Sequence, residues 1–199
     1  MLDRAFRLTL RDLSTYFLVA AVIFVPLHVV HAFAFQDVIA VSELHGQIAE
    51  LGENETVRRV GPGDLDMYRL TGLLVLLLEV LTLPLMAAAG GRVLDQRSRG
   101  ELPSVRAAWA KGTVHFTSVR SLARPGVLLT ASVLAVAIGI LARMTGSLII
   151  EPLSDRTAWA GVVLVEAGAR SLAAPFVIVP AALIASTAKE RGVQVPNNT

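Results

Sequence analysis

The sequence predicts an all-α integral membrane protein, a helical bundle of about four transmembrane helices with interfacial amphipathic helices. Three observations carry this prediction. The chain of 199 residues is 54% hydrophobic and only 17% charged, with a mean hydropathy of +0.61, whereas soluble domains carry roughly 25% charge. The apolar residues are concentrated in long runs, and charged residues cluster between those runs. At this length one membrane domain over residues 1–199 accounts for the whole chain.

The N-terminal stretch MLDRAFRLTLRDL places Leu2, Phe6, Leu10 and Leu13 on one helical face and Arg4, Arg7 and Arg11 on the other. That pattern predicts an interfacial helix over 2–13. Ser14 to Gln36 follows without a single Asp, Glu, Lys or Arg, long enough to cross the hydrocarbon core as the first span, 14–36. Ala32-Phe33-Ala34 resembles a signal-peptidase site, yet the apolar run exceeds the usual 7–15 residues and Asp3 and Asp12 interrupt the basic leader. A retained span is therefore expected.

From Asp37 to Arg69 the chain is polar, with a short helix expected after Ser42 as its cap and a turn-rich stretch GENETVRRVGPGD. The second span, 70–91, contains one charge, Glu79, and a helix-perturbing Pro84. After it, Val105, Trp109, Gly112, Phe116, Val119 and Leu122 recur at helical spacing behind Ser104, predicting a second interfacial helix over 104–122. The third span, 125–142, lies between Arg124 and Arg143, whose side chains are expected to reach the headgroups. Trp159 opens the last apolar segment, 159–187, in which Pro175 and Pro180 either kink a single span or split it. Ala131, Ala135 and Gly139 form a small-residue ridge suited to close helix approach, within the chain or between copies.

Charge counting sets the expected orientation. Residues 92–124 contain seven basic and two acidic side chains, while 37–69 contain seven acidic and three basic ones. Basic loops stay in the cytoplasm, so a multi-pass cell-membrane protein with both termini cytoplasmic is expected.

Few residues carry chemistry. Glu79 lies near the middle of a span, where an ionised carboxylate costs at least about 2.5 kcal/mol unless paired or hydrated. His28 and His31 lie at matching depth on the first span, so a Glu79/His28 pair is the leading candidate for an intramembrane polar contact, serving helix packing or a proton or ion path. Two imidazoles without further ligands predict no metal site. Glu166 and Arg170 stand four apart, the spacing of an intrahelical ion pair. With no cysteine, disulfides, thiolate metal sites and thiol nucleophiles are excluded. No phosphate loop, G-x-S-x-G or H-E-x-x-H string is present, so no catalytic residue and no cofactor are expected. The expected partners are the lipid bilayer and a membrane protein partner or a second copy of the chain, and no nucleic acid, since net charge is +2 and the arginines flank apolar runs.

Two stretches, RSRGELPSVRAAWAKG and SLAAPFVIVPAALIASTAKERG, together resemble the glycerophosphoryl diester phosphodiesterase membrane-domain family and related bacterial membrane proteins. Gly100, Ser104, Val105, Ala108, Pro180, Lys189, Arg191 and Gly192 occupy the corresponding positions. The resemblance implies an amphipathic N-terminal helix, a Pro-containing final span with a basic end, and an accessory function. The chain departs from that pattern in having fewer spans and no Tyr-Tyr-Asp before its final basic residues, and it carries no phosphodiesterase catalytic domain. These readings together predict a non-catalytic scaffold or accessory subunit, with a small transporter or channel component using Glu79 and His28 as the alternative.

Overall fold

The computed structural model describes residues 2–43, 62–110, 125–150 and 158–193. Among them are eight helices and no strand: α1 (Leu2–Arg11), α2 (Leu13–Ala34), α3 (Gln36–Glu43), α4 (Pro62–Ser98), α5 (Val105–Ala110), α6 (Pro125–Ile150), α7 (Ala158–Ala173) and α8 (Pro175–Val193). Four segments are long and apolar enough to cross a membrane: Leu13–Ala34, Gly63–Ser98, Gly126–Gly146 and Trp159–Ser186.

The spans start and stop for local reasons. α1 ends at Arg11 and, after Asp12 alone, α2 begins at Leu13, so the interfacial and spanning helices are nearly continuous. α1 buries Ala5 and Thr9 against the bundle, and Leu2, Phe6 and Leu10 stay exposed on the face predicted to meet lipid. α4 is longer than the predicted 70–91: it starts at Pro62, whose fixed φ suits the first helical turn, and absorbs residues read from sequence as a turn. It continues to Ser98, where Gly100 at φ 77 turns the chain. α3 takes up residues expected to be loop; most of the helix expected after Ser42, like residues 111–124 of the second interfacial helix, lies outside the described residues. The last apolar segment forms two helices joined at Ala174. Pro175 has no N–H to continue the ladder, but Ala174 N still donates to Arg170 O at 2.9 Å and Ile178 N to Ala174 O at 2.9 Å. The hydrogen bonds thus bridge the break at Ala174, and Trp159–Ser186 forms one candidate span.

Neighbouring residues give the helix directions. Tyr16 of α2 lies by Gly90 of α4, and His28 by Glu79, so α2 and α4 are antiparallel. Glu79 meets Arg170, and Gly90 meets Ile178, so α4 runs parallel to α7 and α8. Gly146 abuts Val165 and Gly139 abuts Ala173, so α6 is antiparallel to α7. The pair α7–α8 is central, packing on α1, α2, α3, α4 and α6, while α4 and α6 do not pack along one another.

The two halves of this bundle differ. Toward the end that holds α1 and α5, Tyr16, Val19, Ala89, Val93 and Val179 form a tight apolar cluster, continued by Ala20, Phe24, Met86 and Ile178. The ridge Ala131/Ala135/Gly139 faces α7 and α8 of the same chain, with Ala131 and Ala135 buried and Gly139 beside Ala173. The ridge thus works within the chain. Trp109, on the predicted interfacial helix, packs against both apolar clusters of the bundle. Short α5 is capped by Ser104, whose Oγ accepts from Ala107 N at 3.4 Å, and Arg92 donates to Ala108 O at 2.6 Å, drawing α5 against α4.

A charged network joining four membrane spans

Toward the opposite end, nearer the acidic connection, the bundle holds a chain of ionisable side chains. Glu79 is almost fully buried at 5% exposure. Its Oε1 accepts from His28 Nε2 at 2.7 Å, and its Oε2 accepts from Arg170 Nη1 in a short ion pair. Arg170 Nε lies 3.6 Å from Glu166 Oε2, and Glu166 Oε1 lies 2.9 Å from Arg143 Nε. The series His28, Glu79, Arg170, Glu166, Arg143 therefore draws on α2, α4, α7 and α6, one member at least from every span.

Each link has a local cause. Glu79 and Arg170 enter from the same end on parallel helices and reach similar depth, and α7 places Glu166 one turn before Arg170 on the same face. Arg143 meets them because α6 runs antiparallel and continues to Ile150, eight residues past the predicted end of the span. A carboxylate in hydrocarbon is costly unless compensated, and here each carboxylate has a guanidinium partner. Two carboxylates face two guanidinium groups, so the four charges cancel within the network.

The sequence-derived candidates fare differently. His28 and Glu79 come together as expected by depth. Glu166 and Arg170 do form their intrahelical pair, but it is the longer contact, and the main partner of Arg170 is Glu79. Arg143 does not simply extend to the headgroups: it pairs with Glu166, although its side chain stays 68% exposed. His31 stands apart from the series; its Nε2 lies 3.1 Å from Thr71 Oγ1, and its ring stacks on Tyr68 at 5.1 Å. Thr71 lies within reach of the carbonyls of Met67 and Tyr68 as a donor, which leaves its oxygen to accept from His31. The crossing contacts Glu79–Arg170 and Arg143–Glu166 went unread in the sequence. Counting residues inward from the acidic end, nine from Leu70 to Glu79 and eleven from Trp159 to Arg170, is the signal that marks the first of them.

Two cavities border the network. One of about 380 Å³ lies between α4 and α6, with mainly apolar walls that include Phe24, Leu83, Ala135 and Ile140. The other, about 240 Å³, lies beside α2 and the start of α4, against His28, His31, Tyr68 and Arg69. Arg143, Glu166 and Arg170 line both. No group of three or more His, Cys, Asp or Glu side chains able to hold a metal occurs among the described residues.

A second buried pair lies at the other end. Asp12, 6% exposed, accepts from Arg97 at 2.5 and 3.3 Å and stands 3.7 Å from Arg11, tying the α1–α2 junction to the last turn of α4. No family model, no curated protein and no solved structure matches this chain, so its function has to be argued from these side chains.

Proposed function

We propose that this multi-pass protein is a non-enzymatic scaffold or accessory module of the cell membrane, with both termini and the Arg-rich connection on the cytoplasmic side. The observation that carries the reading is the shared charge network: with one contributor from every span, it holds four helices in register. Helices in lipid gain little from the hydrophobic effect against one another, so polar contacts and small-residue packing fix their arrangement. A kinship with the glycerophosphoryl diester phosphodiesterase membrane-domain family, on the two stretches quoted above, belongs to the same reading, and it brings an accessory role without an activity. The cytoplasmic orientation rests on the loop charges.

A transporter or channel component is the second reading, favoured by the cavities on both sides of the network. Against it stands the close packing of Tyr16, Phe24, Met86 and Ile178 in the half beyond Glu79. A conduit needs polar groups along its length. Proteoliposomes with a proton- or ion-sensitive dye separate the two. The accessory reading expects no flux above protein-free vesicles; a flux that Glu79→Gln abolishes while the protein stays folded overturns it in favour of transport.

A further inference from the structure

The two cavities differ in character and meet at the same three residues. The crevice between α4 and α6 has apolar walls from Phe24 and Leu83 up to Ile140, and at its upper end it meets Arg143 and Glu166. The neighbouring cavity presents three guanidinium groups, Arg69, Arg143 and Arg170, against one carboxylate, Glu166. Among the described residues, the remaining carboxylates near these arginines are Glu79, which lines the crevice and is engaged by His28 and Arg170, and Asp66, 3.9 Å from Arg69. An apolar slot that ends in convergent cationic donors is the form of a ligand site.

We infer that these adjoining cavities hold one anionic bilayer lipid, with an acyl chain in the crevice between α4 and α6 and its phosphate on Arg143. Access decides the source. α4 and α6 do not pack along one another, and Val80 and Val136, which line the crevice, are 53% and 61% exposed, so the slot faces the surrounding acyl chains sideways. Depth decides the polarity. Arg143 stands seven residues before the end of α6, about 10 Å at 1.5 Å per residue, which brings its head near the headgroup level of that leaflet. Chemistry decides the headgroup. Among the described residues Glu166 engages Arg143 through Nε, and the guanidinium lining the junction carries two terminal nitrogens, with four further donors of the kind that suits phosphate. At about 380 Å³ the crevice has room for roughly a dozen groups of the volume of a water molecule, about 30 Å³ each, and a methylene is of that size. That is most of one acyl chain.

The test is native mass spectrometry of the full chain released from nanodiscs of equal phosphatidylglycerol and phosphatidylcholine. One phosphatidylglycerol per chain is expected to survive release, preferred over phosphatidylcholine. Arg143→Gln should lower that retention roughly tenfold, the factor for one lost charge-assisted hydrogen bond, and Arg143→Lys, which keeps the charge, should lower it less. Val80→Trp, placed at the exposed mouth of the crevice, should reduce retention of both lipids without touching the arginines. Thermal unfolding of each variant in detergent shows whether it is folded, and the Lys and Trp variants carry the test if Arg143→Gln is not. Equal retention of the two lipids, unchanged phosphatidylglycerol in both the Gln and Trp variants, or a free fatty acid in its place overturns the inference. None of these outcomes bears on whether the chain transports ions.

Discussion

Glu79 and Arg170 should be thermodynamically coupled, and a double-mutant cycle measures by how much. Glu79 holds two interhelical contacts, one to His28 at 2.7 Å and one to Arg170. Single interhelical hydrogen bonds in membranes average about 0.6 kcal/mol and reach about 1.7, while removing one partner of a buried ion pair in a soluble protein costs about 3–5 kcal/mol. Arg170 falls between these cases: its side chain is 36% exposed, and Glu166 at 3.6 Å still offsets part of its charge when Glu79 is gone. Glu79→Leu should therefore cost about 2–3 kcal/mol, and Arg170→Leu a similar amount. With both charges removed nothing buried is left uncompensated between them, so the double variant should cost about 3 kcal/mol and not about 5, a coupling of roughly 1–3 kcal/mol. Glu79→Gln should fall near 1 kcal/mol, because the amide oxygen still accepts but no longer neutralises the guanidinium. Reversible unfolding in mixed micelles gives all four corners of the cycle. Additivity within about 0.5 kcal/mol would refute the reasoning, since it would mean that the two groups do not sense each other in the folded bundle.

Other substitutions test other parts of the structure. Arg97→Ala removes the partner of buried Asp12 and should cost about 2–4 kcal/mol in the same unfolding assay, whereas Arg99→Ala, from an exposed pair with Asp95, should cost less than about 1 kcal/mol; equal costs would contradict the burial of Asp12. Gly90→Ala places a Cβ 2.5 Å from Ile178 Cγ2 and should destabilise by about 1–3 kcal/mol, while Gly139→Ala meets Ala173 at an ordinary 3.6 Å and should be nearly neutral; a neutral Gly90→Ala would show that α4 and α8 are not closely packed there. Single cysteines at Glu53 and Ser98, probed on intact cells with a membrane-impermeant thiol reagent, should react only at 53, and labelling at 98 alone would reverse the proposed orientation.

The spans were legible because lipid imposes length and composition directly: a helix without charges from Ser14 to Gln36 has few other places to go. Their ends were less legible. Pro62 and the residues after it look like turn formers in isolation, yet they form the largely exposed first turns of α4, and Tyr68 there stacks on His31 of α2. The periodicity through Trp109 reports that a face is apolar without saying whether protein or lipid covers it. The site divides in the same way. Glu79 stands out because a lone carboxylate in hydrocarbon demands a partner, and depth picked His28. Arg143 was hidden by the opposite logic: an arginine near a span end has a sufficient explanation in snorkelling, so nothing in the sequence asked for Glu166.

That contact matters most for α6, the least buried of the four spans at 11% of its apolar window. α6 packs on α7 and α8 only through one side, along Ala131, Ala135 and Gly139, and exposes Leu129, Val133, Val136, Ile140 and Leu141 on the others. Those exposed residues gain nothing by leaving lipid for protein, since acyl chains are as apolar as they are. What attaches α6 is therefore the close approach that its small residues allow, plus the Arg143–Glu166 pair at 2.9 Å. Glu166 in turn lies between two arginines, so loss of Arg143 leaves it with Arg170, which already serves Glu79. The network couples the seating of the outermost span to the pairing of the innermost carboxylate. A disturbance at the edge of the bundle, between α6 and the lipid, thus has a route to Glu79 through three ion pairs, Arg143–Glu166, Glu166–Arg170 and Arg170–Glu79.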